Sequence, residues 1–132
     1  IVAEKYTGAG GALANTPMVQ EVKMSWDVIL IKTDKNNEPI ENITEANTVK
    51  FSHDETASIL KNSLPGIECV DETWLNYETP QFAVSFNLAC ENNIMLHIYI
   101  LDEPEDAVLA LIKHLCNCFD CRAFDTTSAE FI

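Results

Sequence analysis

The chain has 132 residues, room for one domain and not comfortably for two. Hydrophobic residues make up 47% and charged residues 22%, which excludes a disordered or fibrous composition. Against 21 Asp and Glu stand only 8 Lys and Arg, a formal charge of −13, so neither a phosphate backbone nor an anionic membrane is an expected partner.

No apolar run approaches the roughly 20 residues of a membrane span. Five cysteines, Cys69, Cys90, Cys116, Cys118 and Cys121, are an odd number that suits no complete disulfide framework. Ile1 to Thr7 lack the basic start and apolar core of a signal peptide. Free thiols without an export signal predict a reducing, cytoplasmic setting.

Residues 1–23 are Ala/Gly-rich, and their charges cancel, Glu4 and Glu21 against Lys5 and Lys23. The whole net charge therefore lies in residues 24–132. Residues 1–23 read as an extension or expression remnant, and 24–132 as a single α+β domain. Gly8-Ala9-Gly10-Gly11 has no lysine after it and no strand before it, so it reads as a linker and not as a phosphate-binding loop. Leu13, Pro17, Met18 and Val22 allow a short segment packed on the domain or on a neighbouring molecule.

From Met24 the elements follow one another. Trp26 to Lys32 is β-branched and aromatic, a strand pattern. Asp34 to Pro39 is a polar turn cluster. Ser52-His53-Asp54-Glu55 fits a capping box, with Ser52 accepting from an orphan amide and Glu55 reaching back. Ala57, Ile59, Leu60 and Leu64 then share a helical face, and Pro65-Gly66 stops the helix. Ile67 to Val70 is a short strand. Phe82, Val84, Phe86 and Leu88 alternate with smaller or polar residues, the signature of a half-buried strand. Glu91-Asn92-Asn93 turns the chain into Ile94, Leu96, Ile98 and Ile100, so the two runs form a β-hairpin.

Asp102 is placed to cap the next helix, predicted over 103–117, with Val108, Leu111, Ile112 and Leu115 as its buried stripe. Cys121 to Phe124 is a short strand, and Ala129 to Ile132 a possible last one. The predicted order is β-α-β-β-β-α-β: an α+β fold, mainly antiparallel, with two helices packed on the sheet.

Cys116-x-Cys118-x-x-Cys121 is the most conspicuous chemical cluster, since thiolates hold zinc and iron–sulfur groups. A structural zinc site commonly uses two separated ligand pairs, and here only His97, His114, Cys69 or Cys90 could supply the rest. Cys116 and Cys118 also straddle the predicted helix end, where side chains two apart diverge. Small buried thiols packing the helix-to-strand corner is the simpler reading, and no cofactor is expected. His53, His97 and His114 show no paired metal spacing. His53 belongs to the first turn of a helix, and His97 to the less apolar face of a strand. No nucleophile motif surrounds Cys69 or Cys90 as partners for His97, so no catalytic residue and no enzyme is expected.

Acids cluster twice. Asp102, Glu103, Glu105 and Asp106 suit a solvated helix start. Asp71, Glu72 and Glu78 surround Trp74 and Tyr77 in what reads as a loop of about ten residues. Aromatics among acids suit recognition of a basic partner, and Asp71, Glu72, Trp74, Tyr77 and Glu78 are the candidate contact residues. In the alternative, the rings plug the sheet end while the acids face water.

Met24-Ser25-Trp26-Asp27-Val28 resembles the MSWDV opening of small, acidic bacterial proteins. Phe124-Asp125-Thr126 through Glu130-Phe131-Ile132 resembles their closing FDTxxGE-hydrophobic run, with Ala129 where they carry glycine, so a different final turn is predicted. Proteins of this kind are similar to immunity proteins, which bind and block a cognate toxin. The resemblance implies a protein partner, basic if the toxin acts on nucleic acid, and no catalytic residue. A small zinc or redox module on Cys116, Cys118 and Cys121 is the alternative.

Overall fold

The computed structural model describes residues 22, 24–102 and 104–132. Apart from Val22, the proposed 1–23 extension, with its glycine cluster, lies outside these. Among the described residues seven strands form one sheet: β1 (Met24–Ile31), β2 (Glu68–Cys69), β3 (Trp74–Glu78), β4 (Phe82–Asn87), β5 (Ile94–Ile100), β6 (Arg122–Asp125) and β7 (Glu130–Phe131). Two α-helices join them, α1 (His53–Ser63) and α2 (Asp106–Phe119), and two short 3-10 turns, Ile40–Asn42 and Glu45–Asn47, follow β1. The class is α+β, as the sequence predicts.

The spatial order is β2-β3-β4-β5-β1-β6-β7, and every paired neighbour is antiparallel. The first strand therefore lies inside the sheet, with β5 on one side and β6 on the other. The register fixes two faces. Val28 lies opposite Leu96, and Leu96 opposite Phe86; Val84 lies opposite Ile98. These residues point to the helix side, where Leu60 of α1 and Ile112 and Leu115 of α2 meet them in one core. Each is almost wholly removed from water, a contribution of roughly 1.5–3 kcal/mol per side chain. Phe51, just before α1, packs edge-to-face on Phe119 at the end of α2, 5.9 Å between centroids.

Several boundaries differ from the sequence reading. Residues 74–78, which the sequence presents as loop, form β3. Leu75 faces the core, and Asn76 is buried because its Oδ1 accepts from Ser85 Oγ at 2.8 Å. Strand β4 is buried on both faces from Phe82 to Phe86, not half-buried. On the open face its small Ala83 and Ser85 lie below larger neighbours: Val22, Leu101 and Tyr99 pack with Ala83, while Trp74 reaches over β4 to stack on His97 of β5.

Asp102 does not cap α2. Its amide and that of Leu101 both donate to Gln81 O, at 3.0 and 2.9 Å, which holds the chain against the sheet. The helix starts three residues later than predicted and runs on to Phe119, so Cys116 and Cys118 lie inside it. At α1, Ser52 does accept from Glu55 N, at 3.5 Å.

Candidate functional site: an acidic groove

One face of α1 and the turn between β2 and β3 enclose an open groove of about 550 Å³. Helix periodicity brings Asp54, Ala57, Ser58 and Lys61 to one wall. Asp71 and Glu72 form the facing rim, and Leu75 and Cys69 line the sheet side. The result is a partly apolar floor edged by three carboxylates, with one lysine.

The rim is built by its own hydrogen bonds. Asp71 Oδ1 accepts from the amide of Thr73 at 2.8 Å, the amide of Trp74 at 3.0 Å and the hydroxyl of Thr73 at 3.1 Å. The Thr73 amide is the main reason its carboxyl stays below the usual carboxylate range. Val70 and Asp71 amides donate to Trp74 O, closing the turn. Asp71 therefore fixes the shape of the turn, while the exposed Glu72 carboxylate supplies charge at its crest.

His53 ties the two walls together. Its Nε2 hydrogen-bonds the carbonyl oxygen of Glu72, and its Nδ1 lies 3.5 Å from Asp54 Oδ1. The Glu72 carbonyl, and after it the Asp54 carboxylate, raise the pKa of this histidine. A charged imidazolium bridging helix and turn is favoured by both contacts.

The five candidate contact residues are not one loop surface. Only Asp71 and Glu72 border the groove. Trp74 lies on the open sheet face, where its indole stacks on His97, 5.7 Å between centroids and 24° between planes. Glu78 shares that face by register, at the other end of β3. Tyr77 points to the helix side and packs on Phe82 at 6.2 Å. The groove's helix wall, His53, Asp54, Ala57 and Lys61, has no signature in the sequence, because no spacing links residue 54 with residue 72.

His97 Nδ1 lies 2.9 Å from Asp27 Oδ1, so its contacts are a carboxylate and an indole, neither of them a thiol. The cysteine cluster also divides. Cys116 and Cys121 pack on the core, with the Cys121 amide donating to Cys116 O at 3.0 Å, whereas Cys118 Sγ lies 3.6 Å from His114 Nε2 and 3.7 Å from Ser63 Oγ. Among the described residues, no three or more His, Cys, Asp or Glu side chains are grouped to hold a metal ion, and no helix is long and apolar enough to cross a membrane. All five cysteines are free thiols.

No family model, no curated protein sequence and no solved structure matches the chain.

Proposed function

We propose that this protein is an inhibitory binding protein of the immunity type, which blocks a basic toxin domain by contact and performs no chemistry. The observation that carries this reading is the groove between α1 and the β2–β3 turn, edged by Asp54, Asp71 and Glu72. A lysine or arginine of the partner would lay its aliphatic stem over Ala57 and its charge against the rim. The net charge of −13 adds long-range attraction for such a partner and speeds encounter. If the toxin acts on a nucleic acid, the same contact would cover its phosphate-binding surface.

The test is co-purification with the protein encoded by the neighbouring gene, followed by titration at several salt concentrations. The Asp54→Lys/Glu72→Lys double variant reverses rim charge and leaves the Asp71 bonds that hold the turn. It should weaken binding by up to about tenfold, the equivalent of about 1.4 kcal/mol, and flatten the salt dependence. Unchanged affinity and slope in a folded variant would remove the groove from the interface. A wild-type protein that captures no basic partner would remove the reading altogether.

A further inference from the structure

Helix α2 ends in a left-handed residue, Asp120, at φ 51° and ψ 56°. The reversal turns the Cys121 amide back onto Cys116 O, at 3.0 Å. This is the six-to-one bond of a Schellman cap, in which the residue near the last helical turn and the residue beyond the reversal fold against each other. Those two positions usually hold hydrophobes in contact. Here both are cysteines, and both side chains pack on the same core, Cys121 within it and Cys116 against it. Cys118, the third member of the cluster, is turned towards His114 and Ser63.

We infer that Cys116 and Cys121 form an oxidative modification site, a thiol pair that a hydroperoxide converts into an intrachain disulfide across the α2–β6 corner. The cap holds the Cys121 amide on Cys116 O at 3.0 Å, so the two cysteines are backbone neighbours before any oxidant arrives. The two sulfurs have different surroundings. Cys116 is half-buried and open to a small oxidant, whereas Cys121 is 9% exposed and packed in the core. The neighbouring Cys121 favours the Cys116 thiolate, while Cys116 and burial keep the Cys121 proton on its sulfur.

The roles follow. The Cys116 thiolate attacks one oxygen of hydrogen peroxide, the O–O bond breaks, and the departing hydroxide takes a proton to become water. Cys116 is then a sulfenic acid. Cys121 sulfur attacks Cys116 sulfur, the S–O bond breaks, and the hydroxide leaves as water with the Cys121 proton. Two thiols lose two electrons and two protons, and one peroxide becomes two waters. The disulfide would tie the last turn of α2 to the start of β6, beside β1. This inference is independent of the toxin-binding reading.

The full chain, reduced and then exposed to stoichiometric hydrogen peroxide, is measured by intact mass and by non-reducing peptide mapping. The expected change is a loss of about 2 Da, reversed by dithiothreitol. Cleavage before Asp106, Asp120 and Asp125 yields fragments 106–119 and 120–124, which separate Cys121 from the other two thiols. These fragments should remain joined in the wild type and in Cys118→Ser, and come apart in Cys116→Ser. Fragments that separate in the oxidised wild type would overturn the proposal, as would a link that survives Cys116→Ser and disappears in Cys118→Ser. Circular dichroism of each reduced variant checks folding, and alkylation of the oxidised wild type, which should protect residues 116 and 121 and label 118, reads the pair without substitution.

Discussion

The indole Nε1–H of Trp26 donates to Asp125 Oδ1 at 2.8 Å, joining residues 99 positions apart. A second tie lies beside it, where Thr126 Oγ1 donates to Asp27 O at 2.8 Å. Trp26-Asp27 and Asp125-Thr126 are the letters that carry the resemblance at the two ends of the domain. In the fold they clasp β1 to the end of β6, so their chemistry explains them as stabilising contacts without appeal to a binding role. Burial works against the charge on Asp125, but the bonds from Trp26, the Thr127 amide and Ser128 outweigh it and hold its carboxyl below the usual range.

Removing the donor tests the clasp. Trp26→Phe keeps an aromatic ring and should cost about 1–2 kcal/mol at neutral pH in urea unfolding. Because the folded pKa of Asp125 is depressed, its contribution is complete above the unfolded value near 4 and is lost as pH falls through the folded value. The difference between Trp26→Phe and wild type should therefore shrink in acid. A difference that stays constant down to strongly acidic pH would mean that the ring's packing, and not the bond, supplies the stability.

The final turn offers a stabilising substitution. Ala129, where the resembling proteins carry glycine, has φ 58°, a left-handed conformation that costs a residue with a Cβ roughly 1–2 kcal/mol. Ala129→Gly relieves that strain and gives back part of the gain as greater freedom of the unfolded chain. A net stabilisation of about 0.5–1 kcal/mol is expected from thermal or denaturant unfolding. A loss of stability would show that the methyl group contributes packing at this exposed site.

The long apolar alternations, β1, β4, β5 and the stripe of α2, were legible because their spacing is set by the elements themselves. The failures have local physical causes. Strand β3 is only five residues long and is edged by Asp71, Glu72 and Glu78, which give it the look of a loop, and its buried Asn76 is acceptable because Ser85, nine residues on, satisfies it. Asp102 has the chemistry of a cap, but Gln81 O captures its amide and holds it to the sheet. The acids of the groove rim were visible, and the helix wall was not, since the wall exists only when α1 packs beside the β2–β3 turn. Likewise the cysteine spacing is visible in sequence, while the pairing of 116 with 121 depends on the left-handed Asp120.

Glu38 gives the clearest acid-side signature. Its Oε1 accepts from Thr33 Oγ1 at 2.6 Å and from the Asn37 amide at 3.1 Å, and its Oε2 from the Lys35 amide at 3.4 Å. The Thr33 bond, opposed by some desolvation, is the leading reason its carboxyl is lowered to about 2. The sign follows from the depression: the stabilising effect is present above the unfolded value near 4.5 and disappears as pH falls towards 2. Glu38→Gln should lower the unfolding midpoint at pH 7 and converge with wild type at the acid end. Parallel curves over that whole range would show that the charge on Glu38 is not what orders the 33–38 turn.

His53 reverses that dependence. Its folded pKa is raised by the Glu72 carbonyl first and by Asp54 second, so the folded state favours the protonated ring. The contribution is complete below the unfolded value near 6.5 and is lost as pH rises through the folded value. The bridge joins α1 to the β2–β3 turn, so its loss should loosen the groove walls before it affects the sheet. Amide exchange at Thr73 and Trp74, whose N–H groups bond Asp71, should quicken with deprotonation beyond the intrinsic base-catalysed rise, while exchange in β5 follows only that rise. His53→Ala should bring the faster exchange already at pH 6 and remove the step. If the turn amides of the variant stay as protected as in the wild type, the bridge does not hold the groove.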